Sequence, residues 1–262
     1  MKKVVYTAVF GRYDNVSPVN PEWECTFICF TDSHELLSDG WIIVVVDTNG
    51  ESPAQANRRY KMLPHKYFPD FDYSLYVDGN IRIVADPTPL FEKYMGDGLI
   101  AIPKHQDRNC AYVEAVVCIE SGRVDKEITE RQMLRYAKDG FPEKFGVTEN
   151  GLMLRRHHDK NVIILMESWW NEYCGGARRD QLSLPYLIWR NNINIFEISE
   201  GPRISSKYFK LNLHTIDLSK SYLGRLARDA NGKAHLNWYY LIISTIVSLL
   251  VSIRDKLLKK IK

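Results

Sequence analysis

The chain has 262 residues, of which 45% are hydrophobic, and a formal net charge of only +3. This length and apolar content suit one large domain, or one domain with an appendage, that buries a sizeable core. A nearly neutral chain lacks the broad positive surface of a nucleic-acid-binding protein, so we expect no nucleic-acid partner.

Three short apolar runs open the chain, and polar residues follow each of them. The runs cover residues 4–10, 26–30 and 41–46. Nearly continuous apolar runs of this length are typical of parallel strands whose two faces are both covered. After the third run, Ser52 supplies a helix N-cap and Pro53 suits the first helical position, which predicts a helix to about Tyr67.

Residues 73–83 are the most informative segment of the chain. A buried strand is predicted to end at Asp78-Gly79-Asn80, and a second apolar run then re-enters the sheet. The segment thus presents two oxygen-bearing side chains across a glycine. Carboxylate and amide oxygens suit Mg²⁺ or Mn²⁺ rather than zinc, so we expect a divalent ion here. The alternative interpretation is a plain hairpin turn between two strands.

The remaining elements continue the alternation of strands and helices. Short apolar or amphipathic segments predict, in chain order, a helix through Tyr94, a strand over 99–103, a helix over 125–138, a strand over 152–154, helices over 161–173 and from Ala177 to about Trp189, and a strand over 193–198. This order predicts an α/β fold with an open sheet.

Polar side chains follow the predicted strands of the N-terminal half. They are Asp14, Asp32, Asp47, Asp78 and His105. Because ligands of open α/β sheets bind beyond the carboxyl ends of the strands, we expect a binding site at that edge.

Several blocks of sequence, in the same order along the chain, resemble a known family. They are Tyr6–Asp14, Cys29–Asp32, Arg59–Lys61, Tyr76–Asn80, His105–Arg108, Glu149–Arg155 and Arg178–Tyr186. The blocks resemble domain-of-unknown-function family 616, a glycosyltransferase-like domain of plant mucilage and turgor-regulation proteins and of bacterial polysaccharide gene clusters. A more distant similarity is to glycosyltransferase family 8. The resemblance covers roughly residues 3–215 and implies a GT-A-like, mostly parallel nucleotide-binding sheet flanked by helices.

The resemblance also implies a reaction. A bacterial member would move a sugar from a nucleotide diphosphate, with uridine as the expected base, to a surface polysaccharide such as O-antigen or capsule, or to a lipid-linked glycan. Donor contacts are expected from Gly11, Arg12, Tyr13, Asp14, Thr31, Asp32, Arg59, Lys61, Asp78, His105 and Arg108. In this set Gly11 would permit close approach of the nucleotide, and Arg59 and Lys61 would neutralise the diphosphate. Thr31 and Asp32 would bind the base or ribose, or else form a turn after a core strand.

The expected metal ligands are Asp78, Asn80 and His214, the last lying where family 8 places a late histidine. An amide in place of a second carboxylate should weaken binding, and an imidazole ligand would favour Mn²⁺ over Mg²⁺. Asp180 is the first candidate for a catalytic base, with a helix N-cap as its structural alternative. Glu149 and Glu172 are the other candidate carboxylates.

The tail is expected to form an appendage over 219–262, after a transferase domain over 1–218. Eighteen uncharged residues, 236–253, precede a segment with five basic side chains and one acidic one. This pattern predicts an amphipathic helix that lies on the cytoplasmic membrane surface with its lysines on anionic lipid. A core or dimer helix and a full membrane span are the alternatives.

Localisation follows from the cysteines and the start of the chain. The five cysteines lack a paired zinc-like motif and read as reduced core residues. The apolar run after Lys2 and Lys3 is too short for a signal peptide. We therefore expect a cytoplasmic protein that is peripherally associated with the inner face of the cell membrane, with an oligomer also compatible.

Two other functions fit an α/β sheet with a nucleotide pocket. A sugar nucleotidyltransferase usually carries a glycine-rich basic loop after its first strand, and Gly11-Arg12 is sparse for that role. A non-catalytic module that retains the nucleotide pocket is the second alternative, because Asp78-Gly79-Asn80 offers a single carboxylate.

Overall fold

A computed structural model of the chain describes residues 1–203, 206–212, 214, 238, 242, 246 and 250. The chain divides into two compact units. The larger comprises Met1–Gly11 and Asn15–Leu211, and the smaller comprises Arg12–Asp14 and Asn212–Lys262. The following description of strands and helices concerns the larger unit.

The strands and helices alternate along most of the chain. The strands are β1 (Lys3–Val9), β2 (Thr26–Thr31), β3 (Ile42–Val45), β4 (Tyr73–Val77), β5 (Ile81–Ile83), β6 (Ile100–Ile102), β7 (Leu152–Arg155), β8 (Phe196–Glu197) and β9 (Phe209–Leu211). The helices are α1 (Pro53–Met62), α2 (Thr88–Met95), α3 (Ala111–Glu120), α4 (Lys126–Lys138), α5 (Lys160–Gly175) and α6 (Asp180–Arg190), with a 3₁₀ turn over Pro64–Lys66.

The main sheet has the strand order β3-β2-β1-β4-β7-β6-β8. Neighbours from β3 to β4 are parallel, as are β6 and β8, while β7 runs antiparallel to both β4 and β6. The predicted open, mostly parallel α/β sheet is therefore confirmed. A separate two-stranded sheet pairs β5 with β9 in antiparallel register, Ile81 opposite Leu211.

Both faces of the sheet are buried along its central strands, as the continuous apolar runs predict. Side chains alternate between the faces along each strand. On one face Tyr6, Tyr76 and Met153 pack with residues of α1, α5 and α6. On the other, Val5 and Leu75 pack with residues of α2. This two-sided core fixes the strands whose ends carry the predicted site.

The start of α1 is as predicted, and its end comes earlier. The Ser52 hydroxyl accepts a hydrogen bond from the Gln55 amide at 3.3 Å, and Pro53 is the first helical residue. The helix was expected to reach Tyr67 but ends at Met62, because Pro64 cannot continue it and opens the 3₁₀ turn instead. The expected strand over 193–198 is shorter as well, with two residues in β8.

The predicted tail helix and the boundary between 218 and 219 fall mainly on residues outside the described part of the chain. Four described positions of the tail, Trp238, Ile242, Ile246 and Leu250, have helical backbone and exposed side chains. Across the residues that the structure describes, no helix combines the length and apolar character needed to cross a bilayer.

Candidate active site

A buried ion pair joins α1 to the first residue of α6. The Lys61 ammonium donates to Oδ2 of Asp180 at 2.9 Å, and the two side chains are 1% and 4% exposed. Arg58 Nε lies 3.4 Å from the same oxygen. Burial alone would raise the pKa of Asp180, but Arg58, Lys61 and Arg179 hold it well below its usual range. Asp180 is thus ionised at neutral pH and anchors two cations of α1.

Asp78 lies next to this pair, directly after β4. Its Oδ1 accepts a hydrogen bond from the Tyr76 hydroxyl at 2.8 Å and lies 3.6 Å from Lys61 Nζ. The Asp78 side chain is 35% exposed, unlike its buried neighbours. Burial and the Asp78 charge raise the pKa of Tyr76 well above its usual value, so Tyr76 stays a donor. A ligand in solvent can therefore reach Asp78 beside a fixed positive charge.

The segment before β7 reaches the same place because β7 runs antiparallel to β4. The Asp78 amide donates to the Gly151 carbonyl at 2.8 Å. A Cβ on Gly151 would lie 3.0 Å from Asp78 Oδ2 and 3.2 Å from Ile81 Cδ1, so a side chain there would crowd both residues.

Glu149 lies on this segment and is largely buried. Its Oε2 is 3.2 Å from Arg203 Nε and 4.0 Å from His105 Nε2. Burial raises the pKa of Glu149, and the charges of Asp78 and Asp180 raise it further against the opposing effect of Arg203 and Lys61. The pKa of Glu149 therefore moves toward neutrality, in the opposite direction to the pKa of Asp180.

A second buried carboxylate organises the loop after β6. Glu114, in the first turn of α3, is fully buried and forms ion pairs with Arg108 and Arg179. Arg108 also contacts His105, at 3.0 Å between Nη2 and Nε2. His105 and Arg108, two residues predicted to contact the nucleotide-sugar donor, thus lie together. Glu114 holds Arg108 in this position, and the sequence patterns did not indicate this glutamate.

Arg59 and Lys61, which were both expected to bind the diphosphate, have different ion-pair partners, and their contact with a diphosphate stays a prediction. Arg59 Nε lies 2.9 Å from Glu51 Oε2, in a partly exposed pair. The cation that joins Lys61 at Asp180 is Arg58. Residues three apart share a helix face whereas residues two apart do not, so helical spacing favours Arg58 as the partner of Lys61.

Glu172, the third candidate catalytic carboxylate, lies in a contact between two helices, and its catalytic role stays a prediction. Its Oε1 accepts hydrogen bonds from Gln132 Nε2 at 3.0 Å and from the Tyr136 hydroxyl at 2.8 Å, and it forms an ion pair with Arg135. These contacts join α5 to α4.

The N-cap alternative for Asp180 is wrong, since Arg179 occupies the N-cap of α6 and Asp180 is the first helical residue.

The ends of β1 and β2 are tied together by a turn. Both carboxylate oxygens of Asp32 accept from the Gly11 amide, at 3.0 and 3.1 Å. Gly11 has a φ of 63°, and a Cβ there would lie 2.8 Å from Pro53 Cγ, so glycine is required. Thr31 is buried, and its hydroxyl accepts from the Ser33 amide at 3.1 Å. Thr31 and Asp32 thus take part in the turn after the core strand, and their contact with a base or ribose stays a prediction.

The smaller unit contains its own polar contact. His214 Nδ1 lies 2.8 Å from Asp14 Oδ2, and the Tyr13 ring packs edge-on against the imidazole, with the centroids 4.8 Å apart. Arg12 precedes this pair with a φ of 54°. Four predicted site residues thus lie together in one unit.

The oxygen ligands that Asp78 and Asn80 offer after β4 fit a divalent ion that would be bound largely through phosphate. Among the residues that the structure describes, no three His, Cys, Asp or Glu side chains cluster as a metal-binding group. Asp78 and the half-buried Asn80 offer one carboxylate and one amide. Mg²⁺ is commonly held by one or two carboxylates together with substrate phosphates and water, so two protein ligands suffice in that arrangement.

Residues 30–208 match the family described as TOD1/MUCI70, glycosyltransferase-like domain. The matched range includes Arg58, Lys61, Asp78, Glu149 and Asp180. A curated relative from Arabidopsis thaliana, "Probable hexosyltransferase MUCI70", is 28% identical over 210 residues, which cover 69% of this chain and 36% of the relative. The chain thus spans about a third of the length of that relative.

Three solved structures are similar at low identity. Mouse xyloside xylosyltransferase 1 is 11% identical, with a TM-score of 0.43 over 75% of this chain and 84% of the other. The glycosyltransferase GlyE of Streptococcus pneumoniae is 13% identical, with a TM-score of 0.39 over 76% and 45%. The bifunctional glycosyltransferase WbbM is 9% identical, with a TM-score of 0.41 over 76% and 38%.

Proposed function

Because this chain belongs to the TOD1/MUCI70 glycosyltransferase-like family, we propose that it transfers a hexosyl group from a nucleotide diphosphate to a glycan. Uridine diphosphate is the proposed carrier. The observation that carries the proposal is the grouping of Asp78, Lys61, Arg58 and Asp180 beyond the end of β4. A partly exposed carboxylate beside fixed cations suits the binding of a diphosphate and its counter-ion.

We assign Asp78 and Asn80 to a Mn²⁺ or Mg²⁺ ion. When bound, such an ion neutralises the charge that develops on the leaving diphosphate. Arg58 supplies further positive charge, because its side chain is a quarter exposed while it remains anchored at Asp180. Lys61 is too buried to contact much ligand, so its role is to hold the carboxylates at a fixed separation.

We assign to Glu149 the role of the general base that an inverting transfer requires. Such a base takes the proton of the acceptor hydroxyl and works best when its pKa lies near the operating pH. Glu149 has a raised pKa and lies beside His105 and Arg203. Asp180, the first candidate from the sequence, has a depressed pKa and both neighbouring cations on its carboxylate, so it suits anchoring instead.

The proposed acceptor is a surface polysaccharide or a lipid-linked glycan at the inner face of the cell membrane. The described tail positions Trp238, Ile242, Ile246 and Leu250 recur every four residues, expose apolar side chains and precede the basic end of the chain. A helix with this pattern can bury its apolar stripe in the lipid interface while its lysines contact anionic headgroups.

Calorimetry and donor turnover test this proposal on the full chain. Uridine diphosphate is titrated with Mn²⁺, with Mg²⁺ and with chelator, and uridine diphosphate release is followed from a panel of activated sugars. We expect ion-dependent binding and slow hydrolysis of the activated sugar, and both should be lost in Asp78→Ala. Both should be retained in the control Asp70→Ala, because Asp70 is an exposed aspartate that is not among the proposed site residues. Absence of nucleotide diphosphate binding under all three conditions would refute the proposal.

A non-catalytic binding module is the second candidate. The observation that favours it is the amide of Asn80 in the position where a second carboxylate would strengthen metal binding. This alternative predicts ion-dependent nucleotide binding without release from any activated sugar. The same two measurements therefore separate an enzyme from a binding module.

A further inference from the structure

Arg155, the last residue of β7, is fully buried without a carboxylate partner. Its Nη1 donates to the Lys61 carbonyl at 2.8 Å, and its Nη2 donates to the Tyr6 hydroxyl. Across the described part of the chain no Asp or Glu pairs with Arg155, and its Nε has no hydrogen-bond acceptor. Burial of an unpaired charge is unfavourable, so filling space does not explain an arginine at this position.

The Lys61 carbonyl is an unusual acceptor, because it receives two buried donors. The Tyr6 hydroxyl donates to it at 3.0 Å, in addition to Arg155. Lys61 lies in the last turn of α1, where carbonyls lack intrahelical partners and the helix dipole favours a cation. Arg155 and Tyr6 together therefore fix the end of α1.

The side chain of the same lysine reaches the site. Its ammonium lies 2.9 Å from Asp180 Oδ2 and 3.6 Å from Asp78 Oδ1. We propose that Arg155 is a positioning residue of the transferase site, holding the backbone of Lys61 so that its ammonium stays between Asp180 and Asp78. The functional consequence rests on the proposed function, whereas the physical link from Arg155 to Lys61 does not.

The next residue provides a matched control. Arg156 also donates to carbonyls at the end of a helix, binding Met95 through Nε at 3.2 Å and Gly96 through Nη2. That helix, α2, carries none of the proposed site residues. Arg156→Met therefore removes the same chemistry as Arg155→Met, next to it in the chain, without touching Lys61.

The test measures the reactivity of Lys61 in the full chain. Wild type, Arg155→Met and Arg156→Met are acetylated with an N-hydroxysuccinimide ester, and the modification rate of Lys61 is read by mass spectrometry. In the same samples the unfolding midpoint and the affinity for uridine diphosphate with Mn²⁺ are measured. We expect Lys61 to react at least about tenfold faster in Arg155→Met, because a local contact that protects it is lost.

The expected unfolding midpoint of Arg155→Met is equal to or above that of wild type, since an unpaired buried charge is removed. If Arg155 had a purely structural role, Arg155→Met would lower the unfolding midpoint. The modification rate of Lys61 would then rise only as far as the loss of stability explains. Wild-type reactivity of Lys61 in Arg155→Met, or an equal increase in Arg156→Met, would overturn the proposal.

Tyr6→Phe covers the case in which Arg155→Met does not fold. It removes the second donor from the Lys61 carbonyl and leaves the arginine in place. A smaller rise in Lys61 reactivity supports the proposal, and an unchanged rate contradicts it. If wild type binds no nucleotide diphosphate, the proposed function fails, and the labelling rates still decide whether Arg155 positions Lys61.

Discussion

Asp180 faces three cations from two elements: Arg58 and Lys61 of α1, and Arg179 at the start of α6. The sequence alone indicated that Asp180 was important, because it lies in the block Arg178–Tyr186 that resembles a known family. The sequence did not indicate which cation pairs with Asp180. Three basic residues, Arg58, Arg59 and Lys61, lie near the end of α1, and a basic side chain on a helix is ordinarily expected to face solvent. Burial of Lys61 depends on β1, β4 and β7 behind it, which no local pattern reveals.

Asp180→Asn should strongly destabilise the protein. Removing one member of a buried ion pair leaves a desolvated charge and costs about 3–5 kcal/mol. The control is Glu51→Gln, which breaks the partly exposed pair with Arg59 and should cost at most about 1 kcal/mol. Chemical denaturation measures both, and equal effects would show that the Lys61–Asp180 pair is not a stability determinant.

The same pair predicts a pH dependence of stability. The folded pKa of Asp180 is depressed, so its contribution is present above the unfolded value of about 3.9 and is lost as pH falls toward the folded value. The difference in unfolding free energy between wild type and Asp180→Asn should therefore be constant from neutral pH to about pH 5 and narrow below about pH 4. Denaturation at several pH values checks this, and a difference that grows on acidification would contradict it.

Glu149→Gln should slow transfer by about 100-fold or more, the usual loss for a missing general base. Because the folded pKa of Glu149 is raised, wild-type transfer should fall on acidification with a midpoint above the ordinary value of about 4.3. The Glu149→Gln variant should lack this fall in transfer rate on acidification. Glu172→Gln is the control, since its partners are Arg135 and Gln132 of α4, and an identical pH profile for both variants would remove Glu149 from the base role.

At the scale of elements, the predictable parts were those with local signals. Ser52 and Pro53 mark the start of α1, and the two-sided apolar runs mark the parallel strands. Helix α3 was not predicted because its pattern is inverted: Val113 and Val116 are about half exposed, while Glu114 is buried. A helix whose charged side chain faces inward gives no amphipathic signal, since its ion pairs with Arg108 and Arg179 form only in the folded chain.

The approach of the segment before β7 to β4 gives an element-scale prediction. Gly151→Ala should weaken nucleotide binding and cost about 1–3 kcal/mol, because a methyl group would press on Asp78 and Ile81. Gly175→Ala is the control, since no atom lies within 4 Å of a Cβ there and the residue is helical. The control should be neutral or stabilising by up to about 1 kcal/mol. Calorimetry measures the affinity for uridine diphosphate. Wild-type affinity in Gly151→Ala would show that the close approach of Gly151 to Asp78 is not needed for nucleotide binding.

At the scale of the whole molecule, membrane attachment is a prediction about the tail. Replacing Trp238, Ile242, Ile246 and Leu250 together by serine keeps every charge and removes the exposed apolar stripe. The full-length variant should no longer sediment with vesicles that contain anionic lipid, while its affinity for uridine diphosphate is unchanged. Truncation after Ser219 should have the same effect. Vesicle binding that survives both changes would contradict attachment through the tail.

The reversed strand β7 has a consequence for how the protein is made. On the ribosome, β1 to β4 emerge first and can assemble as four adjacent parallel strands, whereas β6 takes its neighbours β7 and β8 from later in the chain. Until β7 is synthesised, the nascent sheet carries a bare edge along β4, whose residues are all buried in the finished protein. Unpaired apolar edges can recruit other chains, so we expect this interval of translation to be the one in which a chaperone helps most.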